Sequence, residues 1–150
     1  MRLNPGSNIL DIDLEVFENN LVEVERFVGI LSKNPNDTSS LHSLLLTTET
    51  IKERINLYQI KEIDILIIPL VEIVAALHNR KFLFSPNLSE VILITLDRTY
   101  IVLQMIVSGK PVDTAGLVAM AKTISPLATS TAANAEKNAK TILELISGTP

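Results

Sequence analysis

The sequence predicts an all-α fold, an antiparallel up-down four-helix bundle over residues 1–112 with additional short C-terminal helices over 113–150. Three observations predict it. Apolar residues recur in steps of three and four within long segments, the spacing that lines one face of a helix. Short stretches rich in Pro, Asn, Asp and Gly separate those segments, and short connections favour antiparallel neighbours. Of the 150 residues, 47% are apolar, and aromatics are only 4% with no Trp; Leu, Ile, Val and Ala dominate, which suits interdigitating helices. No β-α-β unit and no Gly-rich phosphate loop breaks the pattern.

The first helix carries Leu10, Leu14, Phe17, Leu21, Val24, Val28 and Leu31 on one stripe. Asp11 and Asp13 are expected near its start, where free backbone amides favour acids. Asp11, Glu15, Glu18, Asn19, Glu23 and Glu25 fall mostly on the wet side. Pro35 with Asn34, Asn36 and Asp37 marks a loop, and Thr38, Ser39 or Ser40 can cap the next helix. That second helix is expected from about Ser39 to Tyr58. Leu41, Leu44, Leu45, Thr48, Ile51 and Ile55 point inward, while His42, Glu49, Lys52, Glu53 and Asn56 form a polar strip.

The third segment, Lys61 to Lys81, contains IDILII, whose β-branched residues favour a strand. Its length and its helical neighbours favour a helix. Pro69 costs roughly 3 kcal/mol in a helix interior, so a kinked, buried helix is expected. The fourth helix starts with Ser85 as cap and Pro86 in the first turn, and stops at Gly109 before Pro111. Val91, Ile92, Leu96, Leu103, Met105, Ile106 and Val107 supply its apolar surface. A short helix is expected from Asp113 to Ile124, and Ala132, Ala135, Ala139, Ile142 and Ile146 mark a weaker stripe. This tail reads either as packing on the bundle or as a linker.

Formal net charge is −4 with no basic block, which argues against nucleic acid as a partner. The absence of cysteine excludes disulfides, a zinc-thiolate site and a cysteine nucleophile. The two histidines, His42 and His78, are distant in sequence and show no metal-ligand spacing. No Ser-His-Asp or paired-carboxylate pattern stands out, so neither an enzyme activity nor a cofactor is expected. The densest apolar run, Ile60 to Leu77, holds Lys61, Glu62, Asp64, Pro69 and Glu72, so no membrane insertion is expected. The N-terminus lacks the apolar core of a secretory signal, and a cytoplasmic location is expected.

Residues Asp37 to Asn56, DTSSLHSLLLTTETIKERIN, resemble the phospho-accepting helix of histidine phosphotransfer domains of the chemotaxis-type kinase family. The likeness extends over roughly Glu15 to Val112. The family's His-x-x-Lys-Gly pattern falls on Glu49, Thr50, Ile51, Lys52 and Glu53, so the lysine is kept while glutamates replace the histidine and the glycine. Asn56 completes the polar strip. The family's His-x-x-Glu on the third helix falls on PLVE, with Pro69 for the histidine and Glu72 retained. HNRK, His78 to Lys81, is similar to the basic turn after that helix, and Asp97 stands where an acid is usual. Between Glu49 and Glu72 the chain is one residue longer than the family's spacing. A bulge at Pro69 can absorb this; if the extra residue lies elsewhere, the reactive position maps to Thr50.

The resemblance implies a degenerate module of bacterial two-component signalling that serves chemotaxis, phototaxis or pilus-driven motility. Its partners would be a response-regulator receiver domain or a chemotaxis-type histidine kinase. A carboxylate lacks the neutral imidazole nitrogen that attacks phosphorus, so Glu49 could not carry phosphate in the family's manner. Glu53 would add bulk and charge where a receiver's acidic pocket approaches. Glu49 as an imitation of the phosphorylated state is a bolder reading, as it carries one charge where a phosphate carries nearly two. The alternatives are an active phosphocarrier using His42 and an unrelated helical scaffold protein.

Overall fold

The structure, a computed structural model, describes residues 3–57 and 60–147, with residues 3–13 as backbone alone. The elements are α1 (Leu3–Lys33), α2 (Thr38–Asn56), α3 (Lys61–His78), α4 (Pro86–Val107), α5 (Thr114–Ile124), a 3-10 turn (Ser125–Thr129) and α6 (Ala135–Ser147). No strand occurs among the described residues, so the all-α expectation holds. None of these helices is long and apolar enough to cross a membrane.

The apolar stripes become the core. Phe17, Val24, Val28 and Leu31 of α1 are buried, joined by Phe27; Leu14 and Leu21 pack at the margin. On α2 the buried residues are Ser40, Leu41, Leu44, Thr48, Ile51 and Ile55. Thr48 is fully buried, and its hydroxyl donates to the Leu44 and Leu45 carbonyls, so the polar atom is satisfied within the helix. Thr95 and Thr99 of α4 donate in the same way to Val91 and Thr95.

Helix α1 packs on α2 and α4, and α3 packs on the same two helices from the other side of the core. In addition α3 is covered by α5 and the 3-10 turn, while α6 lies against α4 and α5. This second layer explains the composition of α3. Ile63, Leu66, Ile67, Pro69, Leu70, Val71, Ile73, Val74, Ala76 and Leu77 are all buried, so apolar residues surround much of the helix instead of lining one stripe. IDILII is helical because both of its sides meet other helices. The helix continues through Pro69. Ala135, Ala139, Ile142 and Ile146 form the buried face of α6, and Met120, Ile124 and Leu127 seal α5 and the turn.

Several boundaries differ from the sequence reading. Because α1 begins at Leu3, Asp11 and Asp13 fall in its third turn, not at its start. Asp37, not a hydroxyl residue, is the N-cap of α2; its carboxylate accepts from the Ser40 hydroxyl and caps no backbone amide. Tyr58, the expected end of α2, lies outside the described residues, and α2 ends at Asn56. Helix α3 stops at His78 rather than Lys81, because the chain turns over there. The Lys81 and Arg80 amides donate back to the Ala76 and Leu77 carbonyls, and Arg80 takes φ 62°, a left-handed conformation usual for glycine. Ser85 caps α4 as expected, accepting from the Leu88 amide at 3.2 Å.

Candidate functional site on the α2–α3 seam

Two contacts define how α2 meets α3. The His42 and His78 rings lie 5.6 Å apart, centroid to centroid, at one end of the seam. At the other end the Asn56 carboxamide lies against the Asp64 carboxylate; assigned with its nitrogen toward the acid, the orientation that satisfies both groups, it donates to both Asp64 oxygens at 3.0 Å. Early α2 thus meets late α3, and late α2 meets early α3, so the two helices run antiparallel.

This register locates the residues between the contacts. Glu49 is seven residues from both His42 and Asn56, midway along that side. The midpoint between Asp64 and His78 is residue 71, and Glu72 is its neighbour. Glu49 and Glu72 are therefore level along the seam, and both are exposed. Seven residues make about two helical turns, so His42, Glu49 and Asn56 share one exposed stripe. Glu53 and Thr50 are exposed beside it. The Thr50 hydroxyl is occupied locally, donating to the Leu46 carbonyl at 2.8 Å.

Lys52 is half-buried and holds its charge near Asp64. Burial pushes the Asp64 carboxyl above its ordinary value, and the Lys52 ammonium opposes that shift. The Asn56 amide, donating to the same carboxylate, works in the direction of Lys52. Asn56 is thus tied to α3 and Lys52 acts on it through its charge, while Glu49, Glu53 and Glu72 are exposed.

The basic turn at His78 to Lys81 also has a structural role. The Arg80 guanidinium donates to Asn36 Oδ1 at 3.1 Å and to Thr38 Oγ1 at 2.9 Å, clamping the α1–α2 loop onto the end of α3. Asp97 is exposed on α4.

Along the sequence the two histidines are distant, and Asp64 is only a charge interrupting an apolar run. Neither the ring pair nor the Asp64 contact is visible without the helix–helix register. The seven-residue repeat of His42, Glu49 and Asn56 was the available signal. Among the described residues, no group of three or more His, Cys, Asp or Glu side chains gathers in a metal-holding arrangement. Outside the seam, an open groove of about 450 Å³ lies between α4, α5 and α6, lined mainly by Val102, Leu117, Met120 and Ile146 with Arg98 and Asp113 at its polar positions.

No family model matches the chain, and neither the curated proteins nor the solved structures include a significant match.

Proposed function

We propose that this chain is a degenerate histidine-phosphotransfer-like module of bacterial two-component signalling. In this reading α1 to α4 act as an antiparallel up-down four-helix bundle, with residues 113–150 as a helical extension. The module binds a receiver domain or a chemotaxis-type kinase in the cytoplasm and does not itself transfer phosphate.

The observation that carries the reading is that Glu49 on α2 and Glu72 on α3 are both exposed and stand at about the same height along the two antiparallel helices. A phosphotransfer site of this family needs an acceptor on the second helix and an acid on the third, both open to a docking partner. In this reading Glu72 supplies the acid, the exposed helix faces supply the access, and Glu49 puts a carboxylate where the nucleophilic nitrogen is required. Its exposed Glu49, Glu53 and Glu72 favour a partner surface that brings basic side chains or a bound metal ion.

Restoring the acceptor tests this. Receiver domains of the source organism, labelled with acetyl phosphate, should transfer no acid-labile phosphate to the wild-type chain. The double variant Glu49→His, Glu53→Gly should gain it from at least one receiver. A double variant that stays unlabelled by every receiver, alongside the equivalent Thr50→His variant, would sink the proposal.

A second reading draws on the exposed ring of His42, which has no hydrogen-bond partner among the described residues. It makes the wild-type chain an active phosphocarrier. Label that appears on the wild type and vanishes in His42→Gln selects this reading.

A further inference from the structure

The chain has two histidines, and the fold brings them together from different helices. His42 is exposed on the second turn of α2, and His78, half-buried, is the last residue of α3. Their ring planes are inclined by 42° with centroids 5.6 Å apart. Among the described residues neither imidazole has a hydrogen-bond partner, so the ring nitrogens are free to act as donors to a metal. The positively charged neighbour, Arg80, has its guanidinium engaged by Asn36 and Thr38.

Two imidazoles on one metal ion have a characteristic separation. A metal–nitrogen bond of about 2.0–2.1 Å puts each ring centroid roughly 3.2 Å from the ion. Bond angles between square-planar and trigonal then separate the centroids by about 4.5–5.5 Å. The observed 5.6 Å is reached from this range by small side-chain rotations. An exposed ring on one helix and a half-buried ring on the next leave one side open, where water completes the coordination.

The geometry points to a bis-imidazole site for a divalent late transition metal, formed by His42 and His78 across the α2–α3 seam. Among the divalent ions that imidazole favours, Cu2+ binds most tightly and Ni2+ and Zn2+ follow. No third His, Cys, Asp or Glu joins the pair among the described residues, so the site is open and two-coordinate in protein, unlike a closed structural zinc centre. Metal binding here joins the end of α3 to the second turn of α2. The site stands independently of the signalling role proposed above.

The test is titration of the untagged full chain with Cu2+, read by electron paramagnetic resonance and by calorimetry. With no cysteine and only two histidines in the chain, any imidazole signal has an unambiguous source. The expected result is one Cu2+ per monomer with two equatorial imidazole nitrogens and a raised thermal midpoint. His42→Ala and His78→Ala should each reduce the spectrum to one imidazole and weaken binding on the order of 100-fold, as the second ligand's intramolecular advantage is lost. Unfolding curves recorded without metal establish that each variant folds. One imidazole or none in the wild type, a metal-bridged dimer, or affinity unchanged in both variants would overturn the assignment.

Discussion

The Tyr100 hydroxyl of α4 donates to the Glu18 carboxylate of α1, and the neighbouring Phe17 ring lies 5.8 Å from the Tyr100 ring between centroids. The hydrogen bond to Glu18 is the main reason the Tyr100 phenol is pushed up to about 12, with burial and the carboxylate's charge adding to it. A raised phenol means that the neutral, donating form is the one the fold favours. The stability it contributes is fully present below the unfolded value of about 10 and is lost as pH rises from there through the folded value. Tyr100→Phe should therefore be less stable than the wild type at neutral pH by under about 1 kcal/mol, since the contact is solvent-accessible. The gap should close between about pH 10 and 12. Urea unfolding across that range, with phenolate absorbance on the same samples, measures both effects.

Asn56 and Asp64 offer a test at the opposite end of the pH scale. Burial makes the ionised Asp64 carboxylate costly, and Asn56 reduces that cost by donating to it. Asn56→Ala should lower stability at neutral pH by about 1 kcal/mol. It should also move the Asp64 titration upward in carbon-detected magnetic resonance. Because the penalty falls on the ionised form, the deficit shrinks as pH drops through the carboxylate range and protonates Asp64. A deficit that grows on acidification would show that Asn56 does not serve the charged form.

Core and seam should separate cleanly. Leu44 is fully buried on α2, and Leu44→Ala should cost about 2–5 kcal/mol through lost burial and the cavity left behind. Glu49→Gln, on the exposed stripe of the same helix, should change stability by less than about 0.5 kcal/mol. Chemical denaturation checks both. Any loss of partner affinity in Glu49→Gln then belongs to the surface chemistry and not to folding.

Arg80 combines a left-handed backbone at φ 62° with a guanidinium clamp on Asn36 and Thr38. Arg80→Ala removes the clamp and keeps the backbone strain, while Arg80→Gly removes both. The glycine variant should therefore be the more stable of the two by about 1 kcal/mol, and equal thermal midpoints would argue against strain at this residue.

What the sequence determined by itself was local. Most of each stripe on α2 and α6 was legible, since a helix repeats every 3.6 residues whatever it packs against. Leu45 is only half-buried, Ser40 is buried in addition, and Ala132, expected on the last stripe, lies before α6 and is exposed. Ser85 with Pro86 announced the start of α4 for a similarly local reason. The polar strip carrying Glu49 was legible as solvent-facing, and Glu49 is exposed. Tertiary structure decided what lies opposite each strip. The all-round burial of α3 required α5 and the 3-10 turn to cover its second side, which no periodicity in α3 encodes. His42 met His78, Asn56 met Asp64 and Glu49 came level with Glu72 only once the register of α2 against α3 was set. That register comes from side chains interlocking between helices that are distant along the chain, a non-local constraint that the pattern within either helix leaves open.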